Sequence, residues 1–137
     1  MNPLVVAAVL VGLVALATGL GLVWQRGSGR VREADATRVT LPELPEDGQV
    51  TLLQFSTEFC STCGPTRRVL GDLAGQLEGV RHVDVDLTHR PELAARFNIL
   101  QTPTTLILDG AGVIRGRIGG APRRDDVRTA VEGLLVA

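Results

Sequence analysis

Leu52-Leu53-Gln54-Phe55-Ser56-Thr57-Glu58-Phe59-Cys60-Ser61-Thr62-Cys63, residues 52–63, is the stretch on which the fold turns. It continues a nearly unbroken apolar run, Val50 to Ser56, of the kind found in strands buried on both faces. After the second cysteine, Val69, Leu70, Leu73, Ala74 and Leu77 recur at helical spacing. The cysteine pair therefore lies between a buried strand and the start of a helix. A helix N-terminus presents free N–H groups and a partial positive charge, and both stabilise a thiolate. Two intervening residues let Cys63 reach Cys60, so Cys60 is expected to attack and Cys63 to resolve the mixed disulfide. Two other readings compete. A structural zinc site needs four ligands, but His82 and His89 are separated by six intervening residues, outside the usual spacing. The second alternative is a pair of inert buried thiols.

Working outward, Arg38 to Leu41 is read as a peripheral strand, and Pro42, Pro45 and Asp47-Gly48 mark a turn region. Val80 to Leu87 alternates as a strand, and Pro91 to Phe97 is a short helix with proline at a permitted first-turn position. Thr104 to Leu108 is a strand. Asp109 to Gly112 turns the chain, and Val113 to Ile118 returns as the partner of a hairpin. Arg123 to Val136 carries Val127, Ala130, Val131, Leu134 and Leu135 on one helical face. Strands alternating with helices and ending in a hairpin predict an α/β fold, a mixed central sheet with helices on both faces.

Pro3 to Trp24 contains no charge. As a helix it would span roughly 33 Å, enough to cross a hydrocarbon core, with Trp24 at the interface. Ala15-Leu16-Ala17 resembles a signal-peptidase site, but the run lacks a basic leader and continues past it. The reading is one transmembrane anchor over residues 1–24, a linker over 25–37 and a folded domain over 38–137. Arg26, Arg30 and Arg32 follow the helix with no acid before Glu33, so the positive-inside rule places the domain in the cytoplasm. A net charge of −1 gives no electrostatic case for nucleic acid, and two cysteines do not make a disulfide scaffold.

The run LLQFSTEFCSTC resembles the thioredoxin pattern of buried strand, small residue, acid, aromatic and C-x-x-C. Phe97-Asn98-Ile99-Leu100-Gln101-Thr102-Pro103-Thr104 looks like that family's approach to a cis-proline. Asp109-Gly110, Gly112 and Ile118-Gly119 are similar to its terminal hairpin. The resemblance covers residues 38–137. It implies a thioredoxin fold, catalysis by Cys60 and Cys63, and substrate contacts at Phe59, Ser61, Thr62, Thr102, Pro103 and Gly119. In it Pro103 would be cis against the cysteine pair, Thr102 would offer backbone groups to a peptide, and Gly119 would keep the neighbouring surface open. It implies no cofactor and no metal.

Departures from the pattern are specific. Phe59 stands where the family usually has tryptophan, and Ser61-Thr62 stands where it usually has Gly-Pro. The family's buried acid falls at Gln54, which cannot titrate, and its nearby lysine falls near His82. Glu58 reads as a solvated loop acid. The expected function is a membrane-tethered thiol–disulfide oxidoreductase, acting as a reductase on protein thiols and disulfides, with an upstream electron donor or acceptor. The alternatives are a disulfide oxidase of the same fold, or a non-enzymatic adaptor or metal-binding module.

Overall fold

In the computed structural model, residues 1–27, 29–34 and 36–136 are described. A long apolar helix, α1 (Pro3–Gly27), precedes β1 (Val50–Ser56), α2 (Cys63–Gln76), β2 (Val80–Asp86), α3 (Pro91–Arg96), β3 (Thr104–Leu108), β4 (Ile114–Gly119) and α4 (Arg124–Leu135). The sheet order is β2-β1-β3-β4. β1 runs parallel to β2, whereas β1/β3 and β3/β4 are antiparallel, so the sheet is mixed.

Strand alternation divides the core in two. Leu53 and Phe55 of β1 pack with Val85, Leu93, Leu106 and Leu108 on the α3 side. Val50 and Leu52 pack with Leu70, Leu73, Ile107, Val127 and Val131 beneath α2 and α4. Every residue of β1 is buried, which is why its sequence is largely apolar rather than alternating, with Thr51, Gln54 and Ser56 as its buried polar residues. Gln54 shares the α2 side with Val50 and Leu52, and this parity sets up the site.

The segment read as a first strand at Arg38–Leu41 forms only an isolated bridge, Arg38 to Val113. Val39 donates to the Gly112 carbonyl at 2.8 Å and Ile114 donates to the Thr37 carbonyl at 2.9 Å. Pairing goes no further, because the partner segment turns away at Asp109–Gly112, where the Gly112 N–H donates to the Asp109 carbonyl at 2.9 Å. Val39 and Leu41 nevertheless enter the core. The hairpin between β3 and β4 is fastened by Asp109, which accepts from the Ala111 and Val113 N–H groups at 2.9 and 3.0 Å and from Arg115 Nε at 2.8 Å.

α1 is long and apolar enough to cross a membrane and buries none of its residues against the rest of the chain. It ends at Gly27, and by Gly29 the chain is already bonded to the sheet. Gly29 donates to the Gly119 carbonyl at 3.0 Å, and Arg32 and Arg117 exchange backbone bonds of 2.9 Å each.

Candidate active site

β1 delivers the chain to a turn at Thr57–Thr62, where the Cys60 N–H donates to the Thr57 carbonyl at 3.3 Å. α2 then begins at Cys63. Cys60 and Cys63 are joined as a disulfide, with Cα atoms 5.4 Å apart. The two sulfurs have unequal environments. Cys60 is partly exposed, with Sγ 3.7 Å from Thr62 Oγ1, whereas Cys63 is 1% exposed. Thr62 precedes the helix without a side-chain cap bond, the Cys63 N–H donates to the Cys60 carbonyl at 3.4 Å, and Pro65 brings no N–H to the first turn. Ser61, Thr62 and Phe59 are exposed around Cys60, Phe59 at 88%.

Beneath the pair lies Gln54, 0% exposed. Its Nε2 donates to the Cys63 carbonyl at 3.1 Å, and its Oε1 lies 3.0 Å from His82 Nε2. The amide has one acceptor and is already donating to Cys63, so His82 Nε2 carries the hydrogen in this pair. Burial holds the His82 imidazole below its ordinary range; neighbouring Asp84 opposes this and Arg67 reinforces it. Asp84 is occupied in turn, accepting from Ser56 Oγ at 2.6 Å and from Arg67 Nε. The place of the family's buried acid is thus filled by a neutral amide, itself held by an imidazole.

The second loop of the site precedes β3. The Thr102–Pro103 peptide is cis. Thr102 Oγ1 lies 3.5 Å from Thr57 Oγ1, which ties this loop to the turn carrying the cysteines. Antiparallel pairing of Phe55 with Thr104 puts both loops at the same end of the sheet. Gly120 donates to the Pro103 carbonyl at 2.8 Å, so the end of β4 joins them. Gly119 is not open space. A Cβ there would come within 2.4 Å of the Gln101 side chain, which covers it. Gln101 and the 87% exposed Leu100 are neighbours of the site that pattern reading did not single out. Their only sequence signal is their position just before Thr102-Pro103.

The arrangement suits two-electron exchange between sulfurs. An outer sulfur is reachable, an inner one is sheltered, and the two are joined as a disulfide. Among the described residues, no three His, Cys, Asp or Glu side chains are grouped to hold a metal ion.

Comparison with known proteins agrees with this geometry. Residues 42–132 match the thioredoxin family model. Thioredoxin H5 of Oryza sativa subsp. japonica is 26% identical over 95 residues, covering 69% of each chain. Thioredoxin 2 of Chlorobaculum tepidum is 30% identical over 84 residues, 59% of this chain and 75% of that protein. The oxidised form of mitochondrial thioredoxin 3 from Saccharomyces cerevisiae superposes with a TM-score of 0.56 at 21% identity, over 65% of this chain and 82% of the other.

Proposed function

This chain belongs to the thioredoxin family and is a thiol–disulfide oxidoreductase, and we propose that it works as a reductase of protein disulfides, tethered to a membrane by residues 3–24. The observation that carries the mechanism is the inequality of the two sulfurs, partly exposed Cys60 against buried Cys63 at the head of α2. In the reduced protein the Cys60 thiolate attacks one sulfur of a substrate disulfide. The substrate's S–S bond breaks, its other sulfur leaves as a thiolate and takes a proton, and a mixed disulfide forms. Cys63 then gives up its proton and attacks Cys60 Sγ, which releases the second substrate thiol. Two electrons have passed to the substrate, and the Cys60–Cys63 disulfide remains. An upstream thiol donor must reduce it again before the next turnover.

Phe59, Ser61 and Thr62 would contact the substrate around Cys60. Thr102 would supply backbone hydrogen bonds to an extended peptide, and Pro103 would set that loop's direction. Gly119 would contribute through its backbone, since Gln101 lies over it. The domain division that fits this role is an anchor over residues 1–24, a connector over 25–37 and a catalytic domain over 38–137. Arg26, Arg30 and Arg32 favour the cytoplasmic side, whose reducing conditions suit a reductase.

The test is the reduction potential of the Cys60/Cys63 couple, measured by equilibration with glutathione. A reductase should lie near about −270 mV, whereas a value near about −120 mV marks an oxidase. A reporter fused after Ala137 that is active only in the cytoplasm should work; activity only from an exported-type reporter would reverse the topology.

A further inference from the structure

The connection between α1 and the catalytic end of the sheet is very short. α1 ends at Gly27, and the Gly29 N–H is 3.0 Å from the Gly119 carbonyl. Two residues of chain reach at most about 7 Å. The Arg123 N–H donates to the Gly29 carbonyl at 3.2 Å, and its guanidinium donates to the Arg26 carbonyl at 3.1 Å, which fastens the end of the helix to the start of α4. Gly119 and Gly120 belong to the site itself, because Gly119 pairs with Thr104 and Gly120 bonds the Pro103 carbonyl. A cleft between helix and site is lined by Val23, Trp24, Leu100, Gln101, Arg117 and Gly119. With Trp24 at the membrane interface, the leash holds the cis-proline loop within about one headgroup layer of the hydrocarbon core, whatever the tilt of α1.

The surface chemistry of that end matches. Beyond α1, the exposed large apolar side chains among the described residues are Phe59, Leu100, Leu135 and Val136. Leu135 lies against Gly79, at the entry to β2 and so at the far end of the sheet. Phe59 and Leu100 instead stand on the two loops joined by Thr57 and Thr102. Arg26, Arg30 and Arg32 are exposed, and Arg30 and Arg32 line the same cleft as Leu100, as suits lipid phosphates.

We propose that the disulfide end of the domain is held against the bilayer that α1 crosses, with Phe59 and Leu100 entering the interfacial layer. The substrates are then disulfides of membrane proteins lying within a few residues of a membrane span. This inference rests on the membrane-tethered reading, and its test separates the two.

The full chain is placed in phosphatidylcholine nanodiscs with and without bromine on the upper acyl chain, which quenches nearby tryptophan. Trp24 is the single tryptophan, so the wild type reports on α1 alone. In a Trp24→Phe background, Phe59→Trp and Leu100→Trp should each lose roughly half their emission in the brominated lipid, and Val136→Trp should lose none. Quenching of Trp24 without quenching of Phe59→Trp and Leu100→Trp overturns this inference and leaves the tether standing. Equal quenching of all positions overturns it as well. An unquenched Trp24 removes the tether, and the inference with it. In the same discs the reduced protein should reduce a disulfide about three residues beyond a transmembrane peptide at least roughly tenfold faster than one raised on a rigid helical spacer of about thirty residues. Equal rates would overturn the substrate assignment.

Discussion

The side chain of Gln54 bridges His82 and the catalytic helix: its Oε1 lies 3.0 Å from His82 Nε2, and its Nε2 donates to the Cys63 carbonyl at 3.1 Å. The residue beneath the disulfide is therefore fixed in orientation and unable to take a proton. Removal of the proton from Cys63 must use water or the substrate's departing thiolate. Gln54→Asp should accelerate the resolving step and add a titration to its pH–rate profile, because a buried carboxyl can exchange protons near neutrality. It should also cost about 1–3 kcal/mol of stability, since the bond to the Cys63 carbonyl is lost when the acid ionises. Stopped-flow reduction of a disulfide by both proteins between about pH 6 and 9 checks this; superimposable profiles would show that position 54 takes no part in proton transfer.

His82 makes stability depend on pH in a definite direction. Burial lowers its value below the ordinary 6.5, so the unfolded chain binds a proton there more readily than the folded one. The folded state is thus favoured above pH 6.5, and that advantage is lost as pH falls through the depressed folded value. His82→Gln, which keeps a donor for Gln54, should flatten denaturant midpoints over this interval. An unchanged slope between wild type and variant would mean that His82 is solvated in the folded protein.

Asp109 should matter over a lower range. Burial pushes its carboxyl up, but the Val113 N–H, the Arg115 guanidinium and the Ala111 N–H together hold it below the ordinary 3.8. Its contribution to stability is intact above that value and disappears as pH falls through the depressed one. Asp109→Ala should cost about 1–3 kcal/mol near neutral pH by releasing two backbone donors of the hairpin. The difference from wild type should narrow at a pH acid enough to protonate the native carboxyl, below its depressed value. Urea unfolding at the two pH values measures it; a constant difference would assign the loss to packing instead.

The mixed sheet and its flanking helices were legible in the sequence because β1 is largely apolar and the helices after it carry their own period. The cysteine pair was legible for the same reason, since strand and helix signals bracket it. Four features were not. The segment at Arg38–Leu41 reads locally as a strand, yet its extent is set by the partner residues Gly112 and Ile114. The bonds of Gly29 and Arg32 to β4 join backbones far apart in sequence, and no side-chain pattern announces them. The link between Gln54 and His82 depends on the parallel register that sets Leu52 opposite His82 and Gln54 opposite Asp84, which is known only once the two strands are paired. Leu100 looks like an ordinary apolar residue until its exposure is seen.

The division of labour between the two cysteines is tested most directly by trapping mixed disulfides from cells in non-reducing gels. If partly exposed Cys60 attacks and buried Cys63 resolves, Cys63→Ser leaves substrates covalently held on Cys60 and yields new, reducible, higher-mass species. Cys60→Ser should yield none. Adducts on Cys60→Ser and their absence from Cys63→Ser would contradict the account.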